Sequence, residues 1–187
     1  MQKSKIFCNI ILILMIFTII CWNFNHSQKI KKPIIIDKHQ PSYQTINSIT
    51  YIYDSLGKLI YKLITDQAYY FSNNKNSSFK KPILIIYNTE SIPIWKITAN
   101  QAKLTDDYML YLNGDVQINN LNKNLNLKNI LMKNSTINLK TQDIISNNRV
   151  IITGNNFKTI SMKIHGNIKK HTAKLSENVK TYYKIIE

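Results

Sequence analysis

The chain has 187 residues, two cysteines and a net charge of +15, from 25 basic against 10 acidic side chains; one anchor plus one domain with a core of its own is the natural count. Both cysteines, Cys8 and Cys21, fall in a single apolar run, so the rest of the chain holds no disulfide framework, CxxC redox pair or zinc knuckle. The positive charge does not point to nucleic acid: Arg149 is the one arginine, the lysines are spread along the chain, and base readout favours arginine forks in a clustered patch.

In chain order, residues 1–5 carry Lys3 and Lys5 and read as a cytoplasmic tip. Residues 6–22 (IFCNIILILMIFTIICW) are uncharged, and a spanning helix needs about 17–25 apolar residues. Trp22 and Phe24 suit the far headgroup layer, so the transmembrane helix is placed at 6–24, with the N-terminus cytoplasmic. A cleaved signal peptide competes, but the run ends Thr-Ile-Ile-Cys-Trp without the small residues of a cleavage site. Ile20 stands before Cys21 where a lipoprotein signal carries a small residue. Residues 25–41, with Pro33 and Pro41, form a polar tether.

From 42 to 187 the pattern is β throughout. Alternating or apolar segments are predicted at 46–53, 58–71, 82–87, 94–99, 109–113, 116–118, 125–131, 136–139, 150–153, 157–168 and 173–186, with a turn at Asp54–Gly57 and a loop at 73–78. Short strands with turn signals this frequent indicate a sandwich, jelly roll or β-solenoid. A faint repeat runs through them. Thr105-Asp106-Asp107 leads into 109–113 and Gly114; Thr141-Gln142-Asp143 leads into 150–153 and Gly154; Gly166 closes a third, weaker strand. Glycine at a strand end permits positive φ or a bulge.

Catalytic signatures are missing. There is no GxSxG, HExxH, Walker A loop or GxGxxG, and the soluble part holds only Gly57, Gly114, Gly154 and Gly166. Asp106-Asp107 is the only adjacent acid pair, and neighbours on a strand point to opposite faces, so the pair reads as a turn cap. His165 and His171 flank a turn and could meet across a hairpin, but no third ligand accompanies them. No enzyme, metal or cofactor is expected. The aromatic crowd between Tyr51 and Trp95 fits either a filled core or an apolar groove for acyl chains, which periodicity alone does not separate.

Several stretches resemble one family in order: Pro41-Ser42-Tyr43, Ala68-Tyr69-Tyr70, Ile92-Pro93-Ile94-Trp95, Ala102-Lys103-Leu104-Thr105-Asp106-Asp107 with 109–112 and Gly114, Ile137-Asn138-Leu139 with Thr141-Gln142-Asp143, then Gly154, Phe157 and Gly166-Asn167. The chain is similar to the LptC family of the lipopolysaccharide export machinery. That resemblance implies an N-terminal inner-membrane helix and a periplasmic, OstA-like β-jelly roll of two facing antiparallel sheets, open at both ends. It implies a carrier that takes lipopolysaccharide from an inner-membrane ABC transporter and passes it to a periplasmic bridge protein of the same jelly-roll type. One departure is Ser161, where relatives often carry glycine; at positive φ a serine would cost about 1 kcal/mol or more.

The carrier role calls for inward apolar side chains along the strands. The candidates are Ile52, Leu63, Phe79, Ile85, Trp95, Ile97, Leu112, Ile152 and Ala173, and a one-residue slip would turn any of them outward. Gly114, Gly154 and Gly166 are expected to be critical to the backbone or to partners. The competing function is a membrane-anchored structural adaptor that recruits partners without binding lipid.

Overall fold

The computed structural model describes residues 40–122 and 125–184, so the predicted tip, membrane helix and nearly all of the tether lie outside the described residues. Among the described residues no helix is long and apolar enough to cross a membrane; every regular element is a strand.

The first hairpin joins β1 (Tyr43–Tyr53) to β2 (Leu59–Phe71). Its turn is set by Asp54, whose Oδ1 accepts from the Leu56 and Lys58 amides at 2.9 and 2.8 Å, as short polar side chains do in turns. Four short strands follow: β3 (Asn76–Lys80), β4 (Ile83–Tyr87), β5 (Pro93–Thr98) and β6 (Gln101–Leu104). Then come two long ones, β7 (Met109–Asn120) and β8 (Leu127–Asn138). The C-terminal part is β9 (Asp143–Ser146), β10 (Val150–Gly154), β11 (Phe157–Ser161), β12 (Lys163–Asn167), β13 (Thr172–Ser176) and β14 (Lys180–Tyr183). All pairings are antiparallel.

The long strands change partner midway, and this makes the fold two-layered. β2 gives residues 61–64 to β4 and 67–71 to β3. β7 gives 110–113 to β6 and 117–120 to β5. β8 gives 127–132 to β10 and 136–137 to β9. One layer therefore runs β3-β6-β7-β8-β9-β12-β13, and the other β4-β5-β7-β8-β10-β11-β14, with halves of β7 and β8 in each. This is a β-jelly roll. The bend sits at a bulge in β7, where the register with β8 shifts between Asn113 and Val116. Gly114 (φ 76°) and Asp115 (φ 49°) make that turn; Asn100 clasps it, its amide bonding the Gly114 carbonyl at 2.8 Å and its Nδ2 the Asp115 carboxylate at 3.0 Å. Bulges bend strands and raise their twist.

Period-2 burial then aims one face of each strand inward. Ile86, Ile97, Val116, Ile118, Ile137, Val150 and Ile164 are all essentially inaccessible and belong to one continuous core. On β8 the buried positions switch from even (Ile130, Met132) to odd (Ser135, Ile137) across the bend.

Four expectations are corrected. Gly114 does not end a strand; it is a bulge inside β7, so the segments at 109–113 and 116–118 are one element. Strands β3, β6 and β9 were not predicted, because sequences such as Asn-Ser-Ser-Phe-Lys and Gln-Ala-Lys-Leu carry too few apolar residues to show a period. The reach at 157–168 splits at Met162 into β11 and β12, which lie in different layers. Ser161 carries no backbone strain, since it is not among the residues with positive φ; it is buried, and its hydroxyl donates to the Lys163 carbonyl at 3.1 Å.

Candidate functional site

The interior is not an open trough along its whole length. Side chains fill most of it, and one apolar cavity of about 160 Å³ remains between the layers. The β4–β14 layer contributes Trp95, Ile118, Leu127 and Ile130; the other layer contributes Ile144, Ile164, Ile168 and Ala173. Gly166 lies on its wall, where an added Cβ would stand 2.8 Å from the Thr172 carbonyl oxygen, so β12 and β13 approach each other only without a side chain there. The rim is polar: Asn126, Asn167, His171 and Thr172. An adjoining depression shares Gly166, Asn167, Thr172 and Ala173 with the cavity and adds Asp143, His165, Lys170 and Lys174, so two ammonium groups and one carboxylate stand beside the opening.

A larger depression, about 620 Å³, lies elsewhere, along β2, β3, β6 and β7, lined by Gln67, Lys80, Gln101, Lys103 and Asn113 among others. Tyr69, Phe79, Ala102 and Tyr111 share that lining with the amides and ammonium groups, so the surface is mixed in character, and we assign the candidate site to the smaller cavity, whose walls are mainly apolar.

Two contacts tie the layers together. Tyr61, on β2, donates its hydroxyl to the Leu139 carbonyl at 2.7 Å and accepts from Gln142 Nε2 at 3.1 Å. Trp95, on β5, faces His171 with ring centroids 6.0 Å apart. Burial raises the Tyr61 pKa above 10.0, partly offset by the Gln142 bond. Because the folded pKa lies above the unfolded one, the stability linked to this proton is fully present below pH ~10 and is lost as pH rises through the folded pKa. Tyr61→Phe is therefore expected to lower stability by about 1–2 kcal/mol at neutral pH, and its melting temperature should fall less steeply above pH ~10 than the wild type's. Equal alkaline slopes in the two proteins would refute the assignment. Asp143, the first residue of β9, is held below the usual carboxylate range by the Thr141 hydroxyl and then by Asn167 Nδ2, at 2.6 and 2.7 Å.

The nine groove candidates separate clearly. Trp95, Ile97, Leu112 and Ile152 are buried in the shared core, and Trp95 also lines the cavity. Ile52, Leu63 and Phe79 are half-buried and pack against that core. Ala173 is exposed at the cavity rim. Ile85 is a correction: its neighbours Leu84 and Ile86 are the buried ones, so by the alternation of the strand Ile85 faces the other way. The cavity residues missed in sequence were Ile118, Ile130, Ile144, Ile164 and Ile168. All lie in recognisable apolar positions, but the pairing of distant strands is needed to bring them together. His165 pairs in register with Lys174 while His171 lies against Trp95, so the two histidines serve separate contacts. Asp107 accepts a hydrogen bond from the Thr105 hydroxyl and Asp106 pairs with Lys75 at 3.4 Å, both exposed turn contacts.

Comparison with known proteins agrees with this architecture. The chain is 34% identical over 185 residues to the lipopolysaccharide export system protein LptC of Escherichia coli K12, covering 99% of this chain and 96% of that one. It is 31% identical over 207 residues to the LptC of Haemophilus influenzae, covering 98% and 97%. The crystal structure of LptH, the LptA-homologous periplasmic component of the lipopolysaccharide transport device of Pseudomonas aeruginosa, superposes with a TM-score of 0.55 at 7% identity. That match spans 67% of this chain and 95% of LptH and speaks for the fold alone. The family profile described as lipopolysaccharide-assembly, LptC-related, matches residues 10–184, and the chain belongs to that family.

Proposed function

We propose that this protein is a lipopolysaccharide carrier in the export system, and that it acts by sheltering acyl chains rather than by catalysis. The observation that carries the reading is an apolar cavity between two β-layers, edged by amides and lysines, in a chain of the LptC family. An acyl chain leaving a bilayer for water costs about 0.8 kcal/mol per methylene. A wall of isoleucine, leucine and tryptophan removes most of that penalty. Lys170 and Lys174 suit an anionic headgroup left outside. The protein is a transport component and not an enzyme; energy for extraction comes from a partner, in this reading an inner-membrane ABC transporter.

The cavity holds one short stretch of chain, not a whole multi-acylated lipid. Loading therefore involves parting of the layers at the Tyr61 and Trp95 contacts. The sheet edges support the handover to a bridge protein of similar fold. β1 and β14 each pair on one side only among the described residues and expose aromatic and aliphatic side chains: Tyr43, Ile46 and Tyr53 on β1, Tyr182 and Tyr183 on β14. Such edges accept an added strand. The helix at 6–24 supplies the single inner-membrane anchor, with the β-domain in the periplasm.

Photo-crosslinking in cells tests this directly. A photoreactive residue at Ala173 is expected to capture a lipopolysaccharide adduct, and one at Ile85, on the opposite face of its strand, is not. Adducts of equal yield at both positions, or at neither, would defeat the carrier reading in favour of an adaptor.

A further inference from the structure

We infer that the Trp95 indole N–H is the hydrogen-bond donor of the cavity, and that it binds an oxygen acceptor of the lipid: the ester or amide carbonyl at the head of an acyl chain. The inference rests on the carrier reading and adds the chemical group recognised inside it.

The argument starts from how this domain treats its other buried polar groups. The buried polar residues Thr65, Ser135, Ser146, Thr159 and Ser161 all have partners. Thr65 meets Ser48, and Thr159 meets Thr181, at 3.3 and 3.1 Å. Ser135, Ser146 and Ser161 donate to backbone carbonyls at 3.3, 2.7 and 3.1 Å. Two atoms break the pattern, Asn129 Oδ1 and Trp95 Nε1, and of the two residues only Trp95 lines the cavity. Trp95 is only 4% exposed, yet its Nε1 has no partner among the described residues. An orphaned buried donor costs about 1–3 kcal/mol, and a buried tryptophan N–H ordinarily finds an acceptor.

Water does not supply that acceptor well. A dry apolar cavity of about 150 Å³ is large enough for a benzene-sized guest, whereas a buried water needs two to four polar partners. The walls here are aliphatic, and the polar side chains stand at the rim. Trp95 lines the cavity and its ring also faces His171 on the rim; Nε1 itself is closed off in this state, so an acceptor reaches it when the layers part for loading. An acyl chain lying inward from the rim brings its carbonyl to that rim. A neutral donor in such walls suits a neutral oxygen and not a phosphate, whose charge is better met outside by Lys170 and Lys174.

Two probes that differ only in carbonyls test this on the full chain in nanodiscs: dihexanoylphosphatidylcholine and its di-O-hexyl ether counterpart. The wild type is expected to bind the ester about 2–10-fold more tightly than the ether, the worth of one net hydrogen bond. In Trp95→Phe that ratio should fall to about one, whatever happens to overall affinity. The chain has two tryptophans, so a Trp22→Phe background leaves one indole N–H signal in NMR. That signal should move downfield with the ester probe and stay in place with the ether. Equal binding of the two probes by the wild type, or an indole signal indifferent to the ester, would overturn the inference and leave the carrier reading standing. No binding of either probe would overturn both.

Discussion

Leu112→Asp is expected to leave the domain largely unfolded at neutral pH. Leu112 is 3% exposed and lies in register between Ala102 on β6 and Ser135 on β8. Neither neighbour offers a cation, so the new carboxylate would be buried and unpaired. Truncating a core leucine alone costs about 2–5 kcal/mol, and burying an unpaired charge adds several more, against a total stability of about 5–15 kcal/mol for a domain. The companion Leu112→Ala should fold and melt about 4–20 °C lower. The two also differ in pH response. The buried Asp has a folded pKa above its unfolded value of about 3.9, so its destabilisation is greatest above that unfolded value and eases as pH falls and the group protonates. Circular dichroism melts between pH 4 and 8 read this out. A folded Leu112→Asp with a flat pH profile would show that position 112 reaches solvent and that the inward face of β7 has been misassigned.

Gly154→Arg should be nearly as damaging, for a steric reason. Gly154 is buried at the end of β10, where its register with β8 shifts. A Cβ there would stand 2.1 Å from Cε1 of Phe157, far inside contact distance. The ring of Phe157 lies over the glycine and also packs on the core. Gly154→Ala must displace that ring and should cost about 1–3 kcal/mol; arginine adds a long charged stem, and export should fail with the fold. A double-mutant cycle isolates the cause. Phe157→Ala should make Gly154→Ala nearly harmless, a favourable coupling of about 1 kcal/mol or more. Additive losses would mean that the ring does not hold the glycine in place, and that position 154 matters for something else.

The faint repeat was partly sound. In both copies a threonine hydroxyl bonds the aspartate two residues on, Thr105 to Asp107 and Thr141 to Asp143, so the local turn chemistry was legible. The units are nevertheless not equivalent. The first turn leads directly into β7, while β9 intervenes between the second turn and β10. Gly114 bends a strand at positive φ, whereas Gly154 makes room for an aromatic ring. Similar short sequences serve different purposes because each glycine answers to what the rest of the chain brings against it.

Membership of an all-β class, the absence of catalytic motifs and the family resemblance were all readable from residue order, because alternation, turn chemistry and motifs are local properties. Inward facing was only partly readable: of the nine candidates Trp95, Ile97, Leu112 and Ile152 are buried, but runs such as Val150-Ile151-Ile152 and Ile83-Leu84-Ile85-Ile86 are apolar on both faces and carry no alternation to choose between them, and there Ile85 points away. The place where β7 and β8 bend, the filling of most of the interior and the cavity left beside Trp95 were decided only by tertiary structure. They depend on which distant strands pair and in what register, and a one-residue shift in pairing exchanges the faces of a strand without altering its local pattern.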